Sequence, residues 1–310
     1  MKTITDLRAI DQLSRPAAIA LGTFDGMHIG HQGVVRAMVD HSRRHNLISI
    51  VYTFSNHPKS YPDADRGPKR LLTPKQKEKI LEDLGVDILI QVPFDEDQLS
   101  IKADVFLKDI LLGKLNVKHI SVGYDFRFGH KAQGNVEYLN AHKDLGYTLE
   151  IIEPITIKDK PVSSTLIRQA LINGEVLKAN RLLGHPYRVE GHVEHGKKMG
   201  RQLGFPTANL KTDYEMSVLK PGVYISQAKW QGQVYNSVTN VGFNPTFDQE
   251  HFTIETYILD FDEDIYDDHL EVIFLYYLRP EIKFSGLDDL IDKIGQDVDE
   301  ARAYFEKLNK

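Results

Sequence analysis

Short apolar runs alternate with longer stretches of helical spacing through the first half of the chain. AAIAL (17–21), LISIVYTF (47–54), DILIQV (87–92), HISVG (119–123) and TLEIIE (148–153) read as mostly buried strands. Between them, residues 30–44, 74–84, 101–113 and 134–145 carry apolar positions at helical intervals. Strand and helix repeated in this way predict a parallel sheet covered on both faces. Two short helices follow over 164–173 and 175–183, the first stopped by Asn173-Gly174 and the second by Gly184. From about 185 the pattern changes. YRVEGHVEHG, GVYISQAKW, QVYNSVTNVG, FTIETYILDF and LEVIFLYYL are strands separated by Gly, Pro and Asp turns, a pattern that predicts a small antiparallel barrel. A last helix places Leu287, Leu290, Ile291, Ile294, Val298, Ala301 and Phe305 on one stripe. The predicted fold class is α/β: a Rossmann-like parallel-sheet domain over 1–184, then a β-barrel domain with a C-terminal helix over 185–310.

Composition narrows the classes. The 310 residues suffice for two domains, and 41% hydrophobic with 26% charged residues is the balance of a soluble globular protein. There is no cysteine, so disulfides, thiolate metal sites and cysteine catalysis drop out, in keeping with a cytoplasmic location. MKTITDLRAIDQLSR lacks the apolar core of a signal peptide, and no apolar run nears the roughly 18 residues that span a bilayer. Neither a membrane nor a nucleic-acid partner is expected, since a net charge of −6 leaves any anion to be held by local groups.

Those local groups are concentrated in LGTFDGMHIGHQG, residues 21–33, just past the first strand. On parallel sheets, ligands bind beyond the carboxyl ends of the strands. Gly22, Gly26 and Gly30 let a backbone approach a bulky ligand, and a helix starting near Ile29–His31 aims free N–H groups at an anion. His28 and His31 add two donors beside that helix end. A glycine-rich turn with two solvated histidines is the bland alternative. In VSSTLIRQAL (162–171), Ser163 or Ser164 can cap a helix while Arg168, one turn in, can reach phosphate oxygens.

Together, Gly-x-Phe-Asp-Gly-x-His-x-Gly-His and Ser-Ser-Thr-x-Ile-Arg resemble the nucleotidylyltransferase superfamily. TFSNHP (53–58) and VGYDFRFGHKAQG (122–134) narrow the resemblance to the prokaryotic FAD synthetase domain. That resemblance implies that Gly22, Phe24, Asp25, Gly30, Ser163, Ser164 and Thr165 bind ATP and its phosphates, with His28, His31 and Arg168 as catalytic groups. It places Phe54, His57, Asp125, Arg127 and Phe128 near the flavin. The rings of Phe54 and Phe128 can stack on an isoalloxazine or equally belong to the core. Asn56 stands where the family usually has proline.

The second half opens with GHVEHGKKMGRQLGFPTANL. Gly191 to Lys197 matches the start of a P-loop, but Lys198 replaces the Ser or Thr and no helix follows, so that reading fails. Lys197, Lys198 and Arg201 put positive charge beside glycines. Thr207 and Asn209 offer a hydroxyl and a carboxamide on one face of an extended segment, hard oxygens of the kind Mg²⁺ accepts beside phosphate. A turn with an ordinary Thr and Asn is the alternative. The whole phrase resembles the riboflavin kinase signature, and GVY (222–224), NVGFNPT (240–246) and ETYILDF (255–261) follow in order. The resemblance implies nucleotide phosphates near Lys197 and Arg201, Mg²⁺ near Thr207 and Asn209, and Glu255 as catalytic base; otherwise Glu255 is an outward-facing strand residue. Val218-Leu219 and Tyr266-Asp267-Asp268 depart from the usual Leu-Pro and Tyr-Gly.

With both halves matched, the chain resembles the prokaryotic bifunctional riboflavin kinase/FAD synthetases. This implies conversion of riboflavin to FMN and of FMN to FAD, with ATP as co-substrate in each step, by a monomer or weak homo-oligomer. Two alternatives are a flavin-binding regulatory homologue with a dead site and a nucleotidylyltransferase with another acceptor.

Overall fold

The computed structural model describes the chain apart from residues 64–66, 196–203, 213–215, 218, 246–249 and 309–310. By its internal contacts the chain divides into two units, Met1–Ser164 and Thr165–Lys310.

The first unit is built on six parallel strands: β1 (Lys2–Ile4), β2 (Ala17–Leu21), β3 (Ile48–Phe54), β4 (Ile88–Val92), β5 (Val117–Gly123) and β6 (Thr148–Ile152). Their order is β1-β4-β3-β2-β5-β6. The order reverses direction at β2/β5, which opens a crevice at the carboxyl ends of those two strands. Alternation along β2 divides the core. Ala17, Ile19 and Leu21 pack on one face with Tyr52, Phe106, Leu107 and Leu111. Ala18 and Ala20 face Val34, Val35 and Met38 of α1 (Ile29–Arg44), with small residues giving the helix a close approach. α2 (Pro74–Asp83) starts in a capping box, in which the Gln76 N–H donates to Thr73 Oγ1 and the Thr73 N–H returns a bond to Gln76 Oε1.

The expected helix over 101–113 takes another form. A short turn at Ala103–Val105 leads into a π-helix, Phe106–Lys114. Leu107 and Leu111 within it and Leu115 at its end, spaced by four, reach the buried face. The segment expected at 134–145 is a shorter helix, α3 (Val136–Ala141), capped by Asn135 Oδ1, followed by one 3₁₀ turn.

The unit boundary falls after the first residue of α4 (Ser164–Ile172), and α5 (Val176–Leu183) follows it, the two helices ended by Gly174 and Gly184 at φ 77° and 75°. A closed antiparallel barrel follows: β7 (Tyr187–Glu194), β8 (Thr207–Lys211), β9 (Gly222–Trp230), β10 (Gln233–Pro245), β11 (Glu250–Ile258) and β12 (His269–Arg279), in the order β7-β8-β11-β10-β9-β12. Closure removes the unpaired edges an open sheet would expose. Asn180 ties α5 to the barrel, its Nδ2 donating to the Phe274 carbonyl at 2.9 Å and its Oδ1 accepting from the Tyr187 N–H at 2.8 Å. Inside the barrel, the buried hydroxyls of Ser226, Ser237, Thr239 and Thr256 bond to one another at 2.7–2.9 Å.

α6 (Leu287–Leu308) lays Ile294, Val298, Ala301 and Phe305 on a cluster containing Val223, Ile225 and Val238. Leu287, at the start of the expected stripe, is 58% exposed instead. The helix is pinned by Asp297, 2% exposed, whose carboxylate accepts from Arg279 Nε and Nη2 at 2.6–3.0 Å and pairs with Lys293 at 3.2 Å. Satisfying both carboxylate oxygens is what makes burial of that charge tolerable.

Candidate active sites

The first site lies beyond the carboxyl end of β2. The chain turns there through three left-handed residues, Phe24 (φ 46°), Gly26 (φ 77°) and Met27 (φ 44°). Only Gly26 takes such a φ freely; the other two cost about 1–3 kcal/mol each. Burial of the Phe24 and Met27 side chains offsets part of that strain. Side chains at Gly22 and Gly30 would crowd the rings of Phe24 and His28, at 3.1 and 3.2 Å.

His28 is the N-cap of α1, its Nδ1 accepting from the His31 N–H at 3.3 Å. That bond assigns the ring proton of neutral His28 to Nε2. The His28 and His31 rings stack at 3.6 Å, and the edge of Phe24 closes on His31 at 5.5 Å. Burial lowers the His28 pKa to about 4 against the opposing pull of Asp25. Burial also lowers His31, helped by the charges of His28 and Lys77. Both are therefore neutral imidazoles at pH 7, each presenting one N–H. The Asp25 carbonyl works against that lowering at His31, and the His31 Nδ1 is buried without a hydrogen-bond partner among the described residues.

Ser164, 139 residues from Asp25, donates from Oγ to the same Asp25 carbonyl at 2.8 Å. The Ser-Ser-Thr segment and the glycine-rich loop thus meet on one atom group. Ser163 is half-buried beside it; exposed Thr165 and half-buried Arg168 continue along α4, three residues apart on a shared face.

The flavin residues expected from the sequence flank the neighbouring strand ends. Phe54 closes β3, half-buried and edge-on to Tyr52 at 6.0 Å and Phe94 at 5.0 Å. His57 caps a 3₁₀ turn by accepting the Lys59 N–H. After β5, Asp125 and Arg127 are exposed, whereas Phe128 is half-buried among Phe106, Phe126 and Tyr138 at 5.6–5.8 Å. Both expected stacking rings thus also contribute to the core edge.

Three residues near this site were given no role from the sequence. Asn56 clamps Phe94, its Nδ2 donating to the Phe94 carbonyl at 2.9 Å and its Oδ1 accepting the Phe94 N–H at 2.6 Å. Arg70 donates to the Ser55 carbonyl at 2.9 Å. Lys77 is buried against the carbonyls of Thr23 and Phe54. Of the three, only Asn56 left a signal in the sequence, as a departure from the usual proline.

The second site is a row across three barrel strands. Asn209 of β8 stands opposite Glu255 of β11, which stands opposite Asn240 of β10. Thr207, two residues before Asn209, stands opposite Tyr257 on the same face. Partners in register have Cβ atoms about 4.5–5.5 Å apart, so a carboxylate is bracketed by two carboxamides with a hydroxyl one step along. All four are half-buried, while the alternate residues Ala208, Ile254, Thr256 and Val241 are buried. Lys197, Lys198 and Arg201 lie outside the described residues. Asn240 opens NVGFNPT, a segment matched in the sequence without a role for its first residue. No group of three or more His, Cys, Asp or Glu suited to a metal occurs among the described residues. Thr207, Asn209 and Glu255 are nevertheless hard-oxygen donors on one face, which fits an ion that keeps phosphate and water ligands.

A parallel-sheet unit with a strained loop at its switch point, joined to a closed barrel with a polar row, defines a two-part transferase architecture. A model of the FAD synthetase family matches residues 10–166, and one of the riboflavin kinase family matches 183–305. The chain is 38% identical over 307 residues to the bifunctional riboflavin kinase/FMN adenylyltransferase of Haemophilus influenzae, covering 98% of this chain and 99% of that one. It is likewise 38% identical over 298 residues to the protein of that name from Bacillus subtilis, covering 95% and 94%. A Streptococcus pneumoniae crystal structure titled macrolide-efflux protein matches with a TM-score of 0.88 at 33% identity, covering 97% and 98%. Among the described residues here, no helix is long and apolar enough to cross a membrane. The chain belongs to the bifunctional riboflavin kinase/FMN adenylyltransferase family.

Proposed function

We propose that this protein phosphorylates riboflavin to FMN and then adenylylates FMN to FAD, using ATP in both steps, with residues 185–310 serving the first reaction and 1–184 the second. The observation that supports the reading is that the chain matches both families, FAD synthetase over 10–166 and riboflavin kinase over 183–305.

In the kinase step the ribityl 5′-hydroxyl oxygen forms a bond to the γ-phosphorus of ATP as the bond to the ADP oxygen breaks. Glu255 accepts the hydroxyl proton, and Asn209 and Asn240, bracketing it in register, orient its carboxylate. Thr207 and Asn209 would hold Mg²⁺ beside the nucleotide, where the ion neutralises phosphate charge. Lys197 and Arg201 supply further positive charge from the preceding segment.

In the adenylyl step an FMN phosphate oxygen bonds to the α-phosphorus and pyrophosphate leaves. No side chain need become covalently attached. The N–H groups of neutral His28 and His31 and the guanidinium of Arg168 stabilise the charge that builds on the α-phosphate. Ser163, Ser164 and Thr165 hold phosphate oxygens beside the Gly22–Gly30 loop. Phe54, His57, Asp125, Arg127 and Phe128 receive the flavin at the crevice. The protein works in the cytoplasm on these small molecules, as a monomer or weak homo-oligomer.

Incubation with riboflavin and ATP, resolved by chromatography, tests the reading directly. FMN should appear first and FAD after it. FMN without FAD would mark the first unit as inactive or devoted to another acceptor, and neither product would leave a flavin-binding protein.

A further inference from the structure

Lys77 is 8% exposed, which is rare for lysine unless its charge is engaged. It projects from α2 toward the ends of two parallel strands. Its Nζ donates to the Thr23 carbonyl at 3.2 Å and to the Phe54 carbonyl at 3.5 Å. Thr23 belongs to the loop that carries Phe24, Asp25, His28 and His31. Phe54 opens the segment that carries His57. One ammonium thus spans the nucleotide loop and the flavin segment.

The ammonium is more than a filler for unsatisfied carbonyls. The Thr23 carbonyl already accepts from Thr53 Oγ1 at 2.9 Å. Burying a charged amine costs several kcal/mol, whereas an apolar side chain of the same length would occupy the space without that penalty. Burial lowers the Lys77 pKa to about 8, with Asp25 opposing the shift and Arg70 adding to it, so the amine remains charged at pH 7. The same charge also helps to keep His31 neutral.

We propose that Lys77, with Thr53 beside it, is a positioning residue for adenylyl transfer: by holding the carbonyls of Thr23 and Phe54 it sets the spacing between the ATP loop and the flavin segment. The inference rests on the reading of the first unit as the adenylyl-transfer site. Its chemical content is alignment. The FMN phosphate oxygen must approach the α-phosphorus in line with the departing pyrophosphate, and a misplacement of about 1 Å can cost roughly 10²-fold in rate.

Lys77→Met keeps length and apolar packing while deleting both donors. In the full chain, kcat for FMN adenylylation should fall roughly 10²-fold. Dissociation constants for ATP alone and FMN alone should stay within about threefold, and FMN formation from riboflavin should be unchanged. A merely structural lysine would instead weaken binding of either substrate together with the rate. The proposal is overturned if kcat stays within about threefold of the parent, or if binding falls as much as the rate. Should Lys77→Met fail to fold, Thr53→Val removes the companion bond to Thr23 with little change of shape. It should lower the adenylylation kcat several-fold at constant affinities, and an unchanged kcat there is equally fatal. His28→Ala/His31→Ala separates the two levels of inference. If that double variant retains adenylylation, the site assignment has failed; if it is inactive while Lys77→Met is normal, only the role of Lys77 has.

Discussion

Acid should unfold the first unit before the barrel. Four imidazoles with depressed pKa values, His28, His31, His41 and His119, belong to Met1–Ser164. His28 and His119 are 6% and 3% exposed, and burial lowers each from 6.5 to about 4. In that window the unfolded chain binds protons that the folded chain refuses, so stability rises with pH and is lost on acidification from about 6.5 toward 4. At pH 5 a shift of that size removes about 2 kcal/mol per group, or about 4 kcal/mol for the two. With a urea dependence of about 2 kcal/mol per molar, the unit's midpoint should fall by about 2 M between pH 7.5 and 5. The chain supplies its own reporter for the other half. Its single tryptophan, Trp230, lies in the barrel, where Nε1 donates to Asp268 at 2.7 Å. Urea titrations followed by far-ultraviolet circular dichroism should therefore show an early phase that moves with pH, while the tryptophan fluorescence transition moves much less. His28→Asn should remove about half of the shift in the early phase. If both probes shift together, or if neither does, the buried imidazoles do not govern acid stability.

Glu255→Gln should reduce FMN formation by about 10²–10⁴-fold while leaving FAD formation from supplied FMN near normal; retained kinase activity would make Glu255 an ordinary strand residue. Asn56→Asp keeps the acceptor for the Phe94 N–H but turns a carboxylate oxygen toward the Phe94 carbonyl, so KM for FMN in adenylylation should rise roughly tenfold with the kinase unaffected. An unchanged KM would detach the Phe94–Phe54 wall from flavin binding. A fragment of 186–310 should fold and make FMN. A fragment of 165–310 should melt several degrees higher because it keeps the Asn180 bonds to Phe274 and Tyr187 and the buried Leu171, Ala179 and Leu183; equal melting temperatures would make α4 and α5 passengers on the barrel.

Much of the architecture was legible because local chemistry and tertiary role coincide. β-branched runs became the central strands with ends shifted by at most two residues at most positions, and Gly174 and Gly184 close their helices as expected. β1 escaped notice because Lys2–Ile4 is a short, mostly exposed edge strand, and its partner β4 is more than eighty residues away. The π-helix escaped because periodicity registers an apolar face but not the wider coil that presents it. Site residues divided in the same way. His28 and His31 are marked by close spacing to glycine and to one another, and Ser164 by the Ser-Ser-Thr run ahead of Arg168. Lys77 sits in PKQKEKILED, whose alternating charges read as a solvated face; only the packing of α2 onto the strand ends buries one lysine of the three. Asn240 likewise acquires its place opposite Glu255 through the pairing of the consecutive strands β10 and β11, which register rather than periodicity fixes.

On the proposed reading an acidic chain with a net charge of −6 binds a triphosphate at the first loop, and local groups have to offset that charge. An anion near a sharply turned backbone is repelled by carbonyl oxygens and attracted by N–H groups. Here the Thr23 carbonyl accepts from Lys77 and Thr53, and the Asp25 carbonyl accepts from Ser164. The negative ends of two peptides in the loop are thereby engaged by donors, while the helix start at Ile29 contributes a positive dipole end. The same three donors also restrain a backbone that passes through left-handed φ at Phe24, Gly26 and Met27. Loop strain, anchored carbonyls and neutral imidazoles are therefore aspects of one arrangement. It favours a dense negative charge by local dipoles and selected cations, so the chain as a whole can remain acidic.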